Sequence, residues 1–242
     1  MNNDSRFMAA LAAAFAVIFG LFWLWQSPGL VLGPLTEAEI DRGIETIDKS
    51  LYLPPDEKAL TLERFRKWAE ADDGRPVYML NLMRYYDAVR PPPGAPAFEG
   101  TPQEANAIYE SKAMPMLFAS RNYPVFGSQT QGGNILTDKS IGDGLGRVLV
   151  VRYGSRRDFL NLVTNPAYAP IEPYKLMALQ VALTPTSGDV VVPDARLALG
   201  AALLIVFLAV GWFRARRPIL FTRVLGLAPA AAQPTLKVKE TL

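Results

Sequence analysis

The chain has 242 residues, of which 50% are hydrophobic, and its formal net charge at pH 7 is only +2. It contains no cysteine and no histidine, which excludes disulfides, thiolate metal sites and the commonest general base. Any catalysis would have to use carboxylates, tyrosine, lysine, arginine or a bound cofactor, and the charge balance gives no support to a nucleic-acid partner.

Residues 7–25 form an uncharged apolar segment, close to the ~20 residues that cross a bilayer as a helix. Arg6 precedes the segment, and Trp23 and Trp25 lie at its far end, where indole rings favour the headgroup layer. We predict a transmembrane helix that is retained as a signal anchor. The alternative is a cleaved signal peptide, although no small-x-small cleavage site follows the apolar run.

Residues 33–75 are predicted to form a helical stalk, or a lid over the domain that follows; a solvated linker is the alternative. Thr36 and Glu39 have the spacing of a capping box, which begins a short amphipathic helix. Pro54-Pro55 interrupts the pattern, and a second helix is predicted through Leu62, Phe65 and Trp68.

Residues 76–188 alternate between strand and helix patterns. The predicted elements are strands at 77–85, 123–130, 147–153 and 177–184, with helices starting at Thr101, after the first strand, and at Ser155, after the third. This order is the ferredoxin-like βαββαβ arrangement, so the predicted fold class is α+β. The helices can cover only one sheet face, whereas the first and third strands are apolar on both. We therefore expect the second face to pack on another copy, forming a homodimer.

Two stretches carry a family resemblance: VLVVRYGSRRDFLNLVTNPAYAPIEPYKLMAL, at residues 148–179, and YMLNLMRY, at residues 78–85. Together with Tyr109-Glu110, they resemble the two halves of a family of small, mostly uncharacterised domains in the dimeric α/β-barrel superfamily. The resemblance covers about residues 76 to 186. It departs at Tyr174-Lys175, where relatives often have a His-Arg pair, so no role of that histidine carries over.

A second uncharged apolar run at residues 197–213 is predicted to be another transmembrane helix. Asp189 and Asp194 precede it, and residues 214–242, which begin with several arginines, are predicted to form a basic cytoplasmic tail. Two spans then place both termini in the cytoplasm, with a bacterial inner membrane as the expected location. The region between the spans is expected to be extracytoplasmic.

Six polar residues of the predicted domain are candidate ligand-binding residues: Asn81, Tyr109, Arg152, Tyr168, Tyr174 and Lys175. Asn81 interrupts an otherwise apolar strand face, and a buried amide needs partners. A structural hydrogen bond for Asn81, an ion pair for Arg152 and a core position for Tyr109 are the alternatives. We predict no metal site, because cysteine and histidine are both absent. We predict no cofactor either, and the glycine-rich stretch 138–146 lacks the residues of a phosphate loop.

These observations favour a membrane-anchored, extracytoplasmic dimeric domain that binds a small apolar molecule or a partner protein. The resemblance implies an alternative, a cofactor-independent oxygenase or isomerase, because members of the superfamily use the cavity between sheet and helices for such reactions. No convincing acid–base pair is visible in the sequence. An accessory subunit of a membrane complex is the third hypothesis.

Overall fold

The computed structural model describes residues 3–133, 135, 144–188 and 195–224. The chain divides into two units, residues 1–189 and 190–242. The helices are α1 Asn3–Gln26, α2 Gly29–Leu32, α3 Glu37–Ser50, α4 Pro55–Glu70, α5 Pro102–Ala119, α6 Arg156–Val163, α7 Glu172–Ala178 and α8 Ala195–Val224. The strands are β1 Val77–Tyr85, β2 Tyr123–Gln129, β3 Arg147–Tyr153 and β4 Leu179–Thr186.

The four strands form one antiparallel sheet in the order β2-β3-β1-β4. The predicted α+β class is thereby confirmed, and the sheet is compatible with a ferredoxin-like domain. In the central strand, Asn81 lies opposite Leu149 of β3 and Leu183 of β4. β4 begins at Leu179, two residues later than expected, because Met177 and Ala178 complete α7.

The two faces of the sheet have different environments. Side chains alternate along a strand, and every second residue from Val77 to Met83 is buried under α5, α6 and α7. On the opposite face Leu80, Leu82 and Val150 are partly buried, and Phe126 is 54% exposed. One face therefore holds the core, while apolar groups on the other remain accessible.

Side-chain caps fix the beginnings of three helices. Thr36 with Glu39, and Thr101 with Glu104, form complete capping boxes at α3 and α5. Hydrogen bonds from Thr101 lower the pKa of the exposed Glu104. Ser155 caps α6 by accepting a hydrogen bond from the backbone N–H of Asp158. These starts follow directly from local sequence, as predicted.

Helices α3 and α4 pack against the domain through α6. Gly43 of α3 approaches Leu160 so closely that an added Cβ would lie 2.7 Å from its methyl carbons. On α4, the rings of Phe65 and Trp68 lie 5.9 and 5.4 Å from the ring of Phe159. The segment 33–75 thus contains two helices that cover α6.

The connection from α1 to α3 is held by arginines of the domain. Arg152 donates hydrogen bonds of 2.9 Å to the side chain and the carbonyl of Gln26, the last residue of α1. Arg157 donates to the carbonyls of Gly33 and Pro34, and to the carboxylate of Glu39. The hydrogen bonds that Glu39 accepts from Arg157 and Thr36 hold the pKa of its carboxyl low, at about 2.

Within the described residues, one helix is long and apolar enough to cross a membrane, rather than the two that were expected. It is Arg6–Gln26 in α1, with 21 residues. The apolar part of α8, Ala198–Phe213, is shorter. The backbone of α8 continues as a helix to Val224, inside the predicted tail, while residues 225–242 lie outside the described part, as do Asp189 and Asp194.

Candidate functional site

A cavity of about 530 Å³ lies between the buried sheet face and the helices. Its floor is formed by β1, β3 and β4, its walls by α5, α6 and α7, and α4 contributes Phe65 and Trp68. Most of the lining is apolar, with methionine, leucine, valine and phenylalanine side chains. The polar lining groups include Asn81, Asn106, Tyr109, Glu110, Tyr153, Tyr168, Glu172 and Lys175.

Asn81 occupies the centre of the cavity floor. Its Nδ2 donates to the carbonyls of Met79, at 3.1 Å, and Leu149, at 3.3 Å. Its Oδ1 accepts a hydrogen bond of 3.2 Å from Nζ of Lys175 on α7. Lys175 also lies over the ring of Tyr109, 5.3 Å from its centroid. Asn81 therefore holds Lys175 inside the domain, and Lys175 retains further N–H groups for a ligand.

Two tyrosines connect α5 to the loop before α7. The hydroxyls of Tyr109 and Tyr168 are 3.1 Å apart, and their rings meet edge to face. Burial raises the pKa of Tyr168 and that of the nearby Tyr153, with a further contribution from Tyr109 in each case. The phenols of Tyr153 and Tyr168 therefore stay protonated near neutral pH, so they can act as hydrogen-bonding groups but not as bases.

Glu172 is a lining residue that the sequence analysis did not single out. It is partly buried on α7, one turn before Lys175, and burial raises the pKa of its carboxyl to about 7 while Lys175 acts in the opposite direction. A carboxyl with such a pKa exchanges protons readily at neutral pH. The structure therefore places a carboxyl with a raised pKa one helical turn before an amine, a pair that was not evident from the sequence.

Asn106 and Glu110 form a second polar group on α5. Nδ2 of Asn106 donates to the hydroxyl of Tyr85, at 3.2 Å, and to Oε1 of Glu110, at 3.0 Å. The other oxygen of Glu110 pairs with Arg147 of β3 at 3.0 Å. Asn106 was not among the candidate residues either, although it lies on the same helix one turn before Tyr109.

The structure places four of the six candidate residues around this cavity: Asn81, Tyr109, Tyr168 and Lys175. Arg152 alternates with the cavity-lining Val151 and Tyr153, so it points to the opposite sheet face, where it binds Gln26. Tyr174 packs edge to face on Phe98, at 5.8 Å between centroids, and is not among the lining residues. Arg152 and Tyr174 therefore lie outside the cavity that the other four residues line.

Across the described ranges, no three or more Asp, Glu, His or Cys side chains come together as a possible metal site. The cavity instead offers an amine, a carboxyl, amides and phenols. Such groups can orient a ligand by hydrogen bonds and can transfer protons.

Comparisons with solved structures give distant matches to this chain. No family model and no curated protein matches the sequence. Among solved structures, RPA0582 of Rhodopseudomonas palustris, a protein of unknown function, is 23% identical with a TM-score of 0.45, over 54% of this chain and 94% of that one. SnoaB of Streptomyces nogalater, a cofactor-independent oxygenase, is 13% identical with a TM-score of 0.32, over 50% of this chain and 99% of that one.

Proposed function

We propose that the domain binds a small, predominantly apolar molecule in the cavity between its sheet and helices. The observation that carries this proposal is a cavity of about 530 Å³ whose apolar walls enclose a few polar groups. Sites of this size and character are typical of small-molecule binding. Asn81, Lys175 and Glu172 would then orient the polar part of the ligand.

Native mass spectrometry of the full chain, purified in mild detergent, tests the proposal. We expect the wild-type protein to retain a small molecule. Ala113→Phe, which adds a ring to a buried residue of the cavity wall, should abolish retention. Ala119→Phe is the matched control, because Ala119 is exposed on the same helix. An empty wild-type protein, or equal retention by Ala113→Phe, would contradict the proposal.

A second candidate is a proton-transfer enzyme, such as an isomerase. It is favoured by Glu172, whose pKa of about 7 suits a general base or acid at neutral pH. The retained ligand should then incorporate deuterium at carbon when the protein is held in D₂O. Glu172→Gln should keep the ligand and stop this incorporation. Incorporation at the same rate in the variant would eliminate Glu172 as the proton carrier.

We further propose that α1 and α8 anchor the domain to a membrane, with both termini in the cytoplasm. The length of Arg6–Gln26 supports the first span, and the shorter apolar part of α8 suits a second in a slightly thinned bilayer. Since the chain has no cysteine, single variants report topology directly. Glu99→Cys should react with a membrane-impermeant maleimide in intact cells, and Lys237→Cys only after permeabilisation. The reverse pattern would refute this orientation.

The proposed homodimer would bury the second sheet face, with Leu80, Leu82, Val150 and Phe126 at the interface. Their partial exposure supports the proposal, because an apolar sheet face is a ready interface. Leu82→Glu should convert the dimer to a monomer, as measured by light scattering corrected for bound detergent. A wild-type monomer would exclude this assembly.

A further inference from the structure

Lys175 brings an ammonium group to the cavity between the sheet and the helices. Its Nζ lies 3.2 Å from Oδ1 of Asn81, in the central strand of the cavity floor. The same nitrogen lies 5.3 Å from the ring centroid of Tyr109, in the α5 wall. Lys175 itself is half-buried and belongs to the lining. Its side chain therefore reaches from α7 to the cavity floor, where a ligand can contact the nitrogen.

Both contacts of this ammonium group are electrically neutral. The amide oxygen of Asn81 and the face of Tyr109 attract a cation, but neither carries a full negative charge. Within the part of the chain that the structure describes, no ion pair joins Lys175 to a carboxylate. Asn81 accepts from one N–H group of the ammonium, which has others to donate. Lys175 thus has both an unpaired charge and unused donors.

The carboxyl groups of the cavity lining do not supply the missing charge. Among the described lining residues these are Glu110 and Glu172. Glu110 accepts a hydrogen bond from Asn106 and pairs with Arg147 at 3.0 Å, so its charge is already compensated. Burial raises the pKa of Glu172 to about 7, so this carboxyl is only partly ionised at neutral pH. The cavity therefore has positive charge to offer to a ligand.

We infer that the ligand is an organic acid, an apolar body with a carboxylate that accepts a hydrogen bond from Nζ of Lys175. This inference rests on the proposed ligand-binding function and names the class of ligand. Hydrogen bonds between an ammonium and a carboxylate are stronger than those between neutral groups. A neutral molecule of the same shape leaves the charge of Lys175 unpaired, so the cavity selects the acid over it.

Three probes test the inference on the full chain in uncharged detergent: naphthalene, naphthamide and naphthoate. Naphthamide has nearly the shape of naphthoate, which is ionised at neutral pH, but lacks its charge. Equilibrium dialysis measures the affinities, with protein-free micelles as the blank for partition of each probe into detergent. We expect the wild-type protein to bind naphthoate about tenfold more tightly than naphthamide, as one charge-assisted hydrogen bond allows. In Lys175→Met this preference should disappear or reverse, because a carboxylate without a partner is costly to bury, while naphthalene binds as before.

Lys112→Met is the matched control, since Lys112 is exposed on α5. It removes the same charge away from the cavity and should keep the wild-type preference for naphthoate. Equal or weaker binding of naphthoate than of naphthamide by the wild-type protein, or an unchanged preference in Lys175→Met, would overturn the inference and leave ligand binding intact. Failure of all three probes to bind would contradict the proposed function itself. The wild-type comparison decides even if Lys175→Met does not fold.

Discussion

Replacing Phe159 by alanine is expected to lower the free energy of unfolding by about 3–5 kcal/mol, the range for deleting a buried aromatic ring. Phe159 is 4% exposed. Its ring meets those of Tyr153, Trp68 and Phe65 at centroid distances of 5.0, 5.4 and 5.9 Å. The substitution would remove the ring contacts between α4 and α6 and would enlarge the cavity.

Urea unfolding of the full chain in detergent, followed by tryptophan fluorescence, measures this effect. Leu60→Ala is the control, because Leu60 is 46% exposed on α4 and should cost less than about 0.5 kcal/mol. If Phe159→Ala cost no more than Leu60→Ala, α4 would not pack on α6 as described. That result would also remove α4 from the wall of the cavity.

Glu172→Gln is expected to stabilise the protein at alkaline pH and not at acidic pH. In the folded protein, burial raises the pKa of Glu172 from 4.5 to about 7. The carboxyl of Glu172 therefore ionises at lower pH in the unfolded chain than in the folded protein. As a result, the wild-type protein loses stability as the pH rises from about 4.5 through about 7. Glutamine cannot ionise, so the variant avoids a decrease of up to roughly 3 kcal/mol in the free energy of unfolding.

The measurement is the difference in unfolding free energy between Glu172→Gln and the wild-type protein from pH 4 to pH 9, roughly the range that brackets both pKa values. The difference should grow between about pH 4.5 and 7 and then level off. Glu99→Gln, at an exposed carboxylate, should show no such rise. A constant difference for Glu172→Gln would mean that the carboxyl is solvated rather than buried.

Much of the fold could be predicted because its signals are local. The capping boxes at Thr36 and Thr101, and the apolar pattern at 147–153, identify helix starts and a strand within a few residues. The boundary between α7 and β4 was wrong by two residues, because Met177 and Ala178 have an apolar pattern that suits either element. Tertiary packing, which the pattern does not contain, places them at the end of the helix.

The site was less predictable because it depends on which helix faces meet the sheet. Asn106 precedes the candidate Tyr109 by three residues, and Glu172 precedes Lys175 by three, so each pair shares a helix face. Extending the two faces by one turn would have found both missed residues. Arg152 lies apart from these residues for a different reason: alternation along β3 places it on the face opposite Val151, and its partner Gln26 is distant in sequence.

The hydrogen bonds of Arg152 connect the end of α1 directly to the sheet. Arg152 donates two hydrogen bonds to Gln26, the last residue of α1. The neighbours of Arg152 in β3, Val151 and Tyr153, belong to the cavity lining. A flexible linker would absorb movements of α1, whereas this hydrogen-bonded connection would transmit them to β3. If α1 crosses a bilayer as proposed, a change in its tilt with membrane thickness would exert torque on β3. The lipid environment would thereby act mechanically on the pocket.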